Sequence, residues 1–85
     1  MLSVIEIPLN IVPEQDVPVP NGAIILEVRF NTNNQLCLYV FGIQGKATTD
    51  KHICLYQAGT QITDNCQTFL GSVVHNNTLY FALTE

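Results

Sequence analysis

Two stretches decide the fold: Ile24-Ile25-Leu26-Glu27-Val28-Arg29-Phe30 and Leu36-Cys37-Leu38-Tyr39-Val40-Phe41, joined by Asn31-Thr32-Asn33-Asn34-Gln35. Both read with a period of two, as half-buried strands do. Ile24, Leu26, Val28 and Phe30 share one face; Ile25, Glu27 and Arg29 share the other. An odd connection of five residues places Phe30 opposite Leu36 and Val28 opposite Leu38. A two-residue turn would set core residues against the wrong face, because a one-residue slip inverts every side chain.

Working outward, Ile5, Ile7 and Leu9 alternate with Glu6, Pro8 and Asn10, giving a first strand that Pro8 marks as an edge. Val17 and Val19 alternate with Asp16, Pro18 and Pro20, a second short strand guarded by proline. Val19-Pro20-Asn21-Gly22 reads as a turn with proline at its second position. On the C-terminal side, residues 42–51 read as a polar loop, His52–Tyr56 as a fifth strand and Ala58–Gln67 as a second loop. Thr68–Val74 and Thr78–Leu83 form a hairpin about Asn76-Asn77, two residues that tolerate positive φ. This hairpin is expected to pair Val74 with Leu79 and Leu70 with Leu83, apolar residues on one face. Seven short strands and no helical period imply an all-β chain: a small antiparallel β-sandwich or a partly open barrel, one domain over residues 1–85.

Composition narrows the function classes. Of the 85 residues, 47% are hydrophobic and only 12% charged, against roughly 25% in an average soluble domain. The polar surface is therefore built from neutral groups, including eight Asn, six Gln and eight Thr. A net charge of −4 with three cations (Arg29, Lys46, Lys51) argues against nonspecific nucleic-acid binding, which requires a basic surface. No apolar run reaches the ~18 residues of a helical membrane span, so no membrane partner is expected. The start, Met1-Leu2-Ser3, lacks a basic region and a long apolar run, so Cys37, Cys54 and Cys66 are expected as reduced thiols in a cytosol. A domain this small gains stability by association, and homo-oligomers are the expected state.

An internal echo marks the candidate site. Leu36-Cys37-Leu38-Tyr39-Val40-Phe41-Gly42 and Ile53-Cys54-Leu55-Tyr56-Gln57-Ala58-Gly59 share the pattern aliphatic-Cys-Leu-Tyr-x-x-Gly. Both ribbons are apolar on both faces, so their cysteine and tyrosine side is expected to be covered by a second sheet, a partner or a ligand. Tyr39, Tyr56 and Phe41 offer rings for stacking on a planar group; their plainer role is core or subunit interface.

Other constellations are weaker. Gly42–Thr49 fails as a P-loop, since Val40 stands where the first glycine is needed and Ala47 where a hydroxyl must ligate magnesium. What remains is a loop with free N–H groups, the Lys46 ammonium and the Thr48 and Thr49 hydroxyls, able to hold an anion or simply to connect two strands. His52, Cys54, Cys66 and His75 are soft ligands, and His52 and Cys54 share a strand face. No C-x-x-C or H-x(3–5)-H spacing accompanies them, so buried thiols are expected and no metal or cofactor. Neither a Cys–His nucleophile signature nor a carboxylate pair is present, and no enzyme is expected. Glu27 and Arg29 read as a weak same-face ion pair.

Pro20-x-Gly22-Ala23-x-Ile25-Leu26-x-Val28, Leu36-Cys37-Leu38-Tyr39, Phe69-Leu70-Gly71-Ser72-Val73 and Leu79-Tyr80-Phe81-x-Leu83-x-Glu85 together resemble a family of short uncharacterised proteins of tailed bacteriophages and prophages. The resemblance runs from Val17 onward. It departs at Gln57-Ala58-Gly59-Thr60, where the family often has a Gly-Thr-Gly-like turn. It implies a phage origin, residence in the host bacterial cytoplasm and an accessory role, and it brings no catalytic residues. Small phage proteins of this kind often counter host defence, some by sequestering cyclic nucleotide signals in pockets of homo-oligomers, others by capping a host defence protein. The expected function is accordingly a non-enzymatic binding protein for a small nucleotide-like ligand, with Arg29, Tyr39, Lys46, Thr48, Lys51 and Tyr56 as candidate contacts. The alternatives are an inhibitor docked on a host defence protein and a virion or assembly component.

Overall fold

The computed structural model describes residues 1–62 and 66–85. The described residues form seven strands: β1 (Leu2–Pro8), β2 (Glu14–Pro20), β3 (Ile24–Phe30), β4 (Leu36–Ile43), β5 (Thr48–Gln57), β6 (Thr68–His75) and β7 (Thr78–Thr84). They form two antiparallel sheets, β1-β4-β3 and β2-β5-β7-β6, facing each other as a sandwich that is not closed into a barrel. The sheets pack through β3 against β6 and β2 against β4.

The core lies between the layers. Leu36, Leu38, Val40 and Val28 point inward from the three-stranded sheet; Val17, Val19, Ile53, Leu55, Val73 and Ala82 do so from the four-stranded one. The expected register holds, with Phe30 opposite Leu36 and Val28 opposite Leu38. Asn31 organises the five-residue loop: its side-chain oxygen accepts the N–H groups of Asn33 (2.9 Å) and Gln35 (3.0 Å), and Asn34 takes φ +62. Asn76 and Asn77 both take positive φ between His75 and Thr78, as a two-residue hairpin requires. Pro8 and the prolines of β2 do lie on edge strands.

Several expectations are corrected. Residues 42–51 are not a loop. β4 continues to Ile43 and β5 begins at Thr48, because β2 extends to Pro20 and pairs Pro18 with Asp50 and Pro20 with Thr48. The connection shrinks to residues 44–47. The turn after β2 lies one residue later than expected. The Ala23 N–H reaches the Pro20 carbonyl at 3.1 Å, so proline opens the turn and Gly22, at φ +77, supplies its left-handed third position. A bulge between Ile25 and Glu27 breaks the alternation of β3: Ile25 packs on the core with Val28, while Ile24 and Leu26 are exposed. A second bulge, between Phe69 and Gly71, sets Phe69 rather than Leu70 opposite Leu83. Val74 does pair with Leu79, but on the outer face; the core receives Val73 and Tyr80. Gly71 sits where β6 crosses β3, and a Cβ there would lie 3.3 Å from the Val28 carbonyl oxygen. The expected loop Ala58–Gln67 is described except at 63–65, which lie outside the described residues.

Candidate functional site

The outer face of the three-stranded sheet is arranged in rows across β1, β4 and β3. Pro8, Cys37 and Arg29 stand abreast, then Glu6, Tyr39 and Glu27, then Val4, Phe41 and Ile24, and finally Leu2 beside Ile43. One half of the face is polar and the other apolar. Leu2, Val4, Ile24, Leu26, Phe41 and Ile43 are each between 37% and 62% exposed, a contiguous strip whose apolar surface is open to water.

The polar half is a hydrogen-bonded group centred on Glu6. Its carboxylate accepts from the Asn31 amide at 2.8 Å, the Cys37 thiol at 3.5 Å and the Tyr39 hydroxyl at 3.3 Å. The Asn31 amide, then the Cys37 thiol, hold the Glu6 carboxyl below its ordinary pKa; partial desolvation opposes them and the Tyr39 hydroxyl adds to them. Loss of hydration pushes the Cys37 thiol up, and the adjoining Glu6 carboxylate pushes it further. Tyr39 is raised by the same two causes in the same order. Beside this group, Val4, Leu26, Arg29, Thr32 and Tyr39 contribute to a pocket of about 410 Å³ that Glu6 and Glu27 also line. Arg29 pairs with Glu27 at 3.5 Å, as expected, on an exposed surface.

The outer face of the four-stranded sheet carries a different group. Asp16 faces His52 across the β2–β5 pair, and its carboxylate lies 2.8 Å from His52 Nδ1. Cys54, two residues along the same side of β5, is fully buried under Cys66, the sulfurs 2.6 Å apart. Ligand atoms of His52, Cys54 and Cys66 all lie within 4.8 Å of one another. The Thr84 hydroxyl donates to the His52 carbonyl at 2.9 Å and fixes this part of β5. Spacing could not reveal this cluster, since Cys66 arrives from a connection rather than a strand. His75 is elsewhere, stacked on Phe30 with ring centroids 5.8 Å apart.

The six expected ligand contacts are divided among separate parts of the surface. Arg29 and Tyr39 line the pocket on the three-stranded sheet. Tyr56 lies on the other sheet and lines a smaller pocket of about 290 Å³ with Ile11, Val12, Pro13, Leu55 and Tyr80. Lys46 is in the short β4–β5 connection, near Gly22, and Thr48 and Lys51 are exposed on β5. Thr49, the second hydroxyl of the expected anion loop, is bonded to the Asn21 side chain instead. Nor does a second sheet cover the cysteine and tyrosine sides; Cys37 and Cys54 are buried by local side chains, and Tyr39 and Tyr56 remain half-buried.

Residues 1–83 match a family model described as a domain of unknown function, DUF7352. The chain belongs to this family. The match carries no activity and ties DUF7352 to no phage. No curated protein and no solved structure matches the chain.

Proposed function

We propose that this DUF7352 chain is a non-enzymatic binding protein that works as a homo-oligomer, with the outer face of its three-stranded sheet as the seam between two copies. The observation that carries this reading is the exposed strip of Leu2, Val4, Ile24, Leu26, Phe41 and Ile43. A contiguous apolar patch rimmed by polar residues is the surface signature of association. The rim suits a second copy in particular. Glu27 and Arg29 present both signs of charge at one margin, and a two-fold axis passing beside that margin would bring Arg29 of one copy to Glu27 of the other. The scarcity of charge elsewhere leaves little to repel a partner.

Sedimentation velocity across a concentration series tests this. A dimer or larger assembly is expected, and Phe41→Asp, which buries a charge at the centre of the strip, should reduce it to monomers. A chain that stays monomeric well above micromolar concentration, or a Phe41→Asp variant that assembles unchanged, overturns the proposal.

A second reading keeps the nucleotide-like ligand. It is favoured by one observation, that Arg29 and Tyr39 line the same pocket. Because Glu6 and Glu27 line it too, a phosphate would need further cations from another copy. A phage origin, action in a host cytoplasm and sequestration of an immune signal belong to this second reading and rest on the sequence resemblance; the capping of a host defence protein and a virion or assembly role are separate alternatives on the same ground. A thermal-shift screen against cyclic dinucleotides and trinucleotides tests this second reading: stabilisation by one of them supports it, and no shift with any of them overturns it.

A further inference from the structure

We infer that His52, Cys54 and Cys66 form a binding site for a thiophilic divalent cation of the Zn²⁺ type, with Asp16 as the carboxylate that orients the imidazole. Three ligand atoms of the types zinc prefers lie within 4.8 Å of one another. Two come from positions i and i+2 of β5, which a strand places on one face. The third comes from Cys66, which precedes β6 and is not held in a ladder register.

Two further features point to a cation. A zinc-bound histidine usually gives its second ring nitrogen to a carboxylate, which fixes tautomer and ring orientation. Asp16 Oδ1 lies 2.8 Å from Nδ1, as such a carboxylate does, so that a metal held by this ring would be met by Nε2. Charge also balances. Two thiolates neutralise a divalent ion, so a site in which both cysteines are fully buried carries no net charge into the protein. Binding releases two thiol protons and leaves one corner of the tetrahedron for water or a ligand from outside the three residues.

The present sulfur separation of 2.6 Å is too short for the two thiolates of a zinc site. With Zn–S bonds of about 2.3 Å, a tetrahedral ion sets its sulfurs about 3.7 Å apart. The adjustment falls on Cys66, which precedes β6 and takes part in no strand pair. The competing chemistry is a Cys54–Cys66 disulfide, formed by thiol exchange with a low-molecular-weight disulfide that is itself reduced to two thiols.

The test uses the full chain with its thiols kept reduced and Co²⁺ as a spectroscopic substitute for Zn²⁺. One Co²⁺ per chain is expected, with thiolate-to-cobalt charge-transfer absorption and the intense d–d bands of a tetrahedral ion, both abolished by added Zn²⁺. Cys66→Ser should weaken the charge-transfer band and His52→Gln should weaken binding. Asp16→Asn, a surface change whose fold is checked by circular dichroism, should weaken affinity roughly 10–100-fold. His75→Ala and Cys37→Ser should bind as the parent does. The inference is overturned if reduced protein gives no charge-transfer band, or if the band is unchanged in both Cys66→Ser and His52→Gln. Rapid alkylation of freshly lysed cells that recovers Cys54 and Cys66 as a disulfide also overturns it.

Discussion

The two Cys-Leu-Tyr ribbons, Cys37-Leu38-Tyr39 on β4 and Cys54-Leu55-Tyr56 on β5, begin from the same local pattern and end in different chemistry. Their inward sides are equivalent: Leu38 and Leu55 are both buried, one from each sheet, in a single core. Their outward sides are not. Cys37 lies among a carboxylate, an amide and a phenol, all hydrogen-bonded about Glu6. Cys54 lies against a second thiol and near an imidazole that a carboxylate holds. Alternation along a strand fixes which residues share a side, whereas neighbouring strands and connections decide what that side becomes.

The comparison can be broken most forcefully at its shared half. Leu38→Ala and Leu55→Ala should each cost about 2–5 kcal/mol, the range for a buried leucine that leaves a cavity, read as a shift in the urea unfolding midpoint. Markedly unequal losses would show that the two ribbons do not contribute alike to the core. Asn31→Ala comes next. It removes the donor to Glu6 and the acceptor that holds Asn33 and Gln35, so a loss of about 1–2 kcal/mol is expected. Alkylation of Cys54 should be unchanged in that variant, because the effect belongs to the β4 side alone.

Smaller effects sharpen the contrast through pH. The folded-state pKa of Glu6 lies below its unfolded value, so its contribution to stability is complete above the ordinary carboxylate range. It is lost as pH falls through the depressed value. Thermal melts of the parent and Glu6→Gln should therefore differ modestly at neutral pH and converge as pH falls below the depressed value, where the carboxylate is protonated in both states. Smallest of all, Glu6→Gln should lower the pH at which Cys37 becomes reactive, since the Glu6 carboxylate helps push that thiol up. Mass spectrometry after timed alkylation measures this directly.

Much of the fold was legible in the sequence because the β3–β4 register follows from an odd connection between two alternating segments, and the β6–β7 turn from two adjacent asparagines. The bulges at Leu26 and Leu70 were not legible. Each depends on how a strand meets a remote neighbour, as Gly71 does where it passes the Val28 carbonyl, and nothing in a local alternation marks it. The polar connection read into 42–51 failed for a related reason. Thr48–Lys51 has little apolar character, yet it forms ladder pairs because β2 lies beside it. For the candidate site, the sequence placed each cysteine and tyrosine on the side opposite its leucine but did not assign β4 and β5 to different layers. That assignment separates Tyr39 and Arg29 from Tyr56, and it brings together Asp16, His52, Cys54 and Cys66, which no spacing rule connects.

Pro18 and Pro20 leave the free margin of β2 without N–H groups at two positions where an incoming ribbon would need rungs. That margin therefore resists the edge-on addition of another strand. Extension of the sheet into a growing fibre is disfavoured there, a useful safeguard for so small and so weakly charged a molecule.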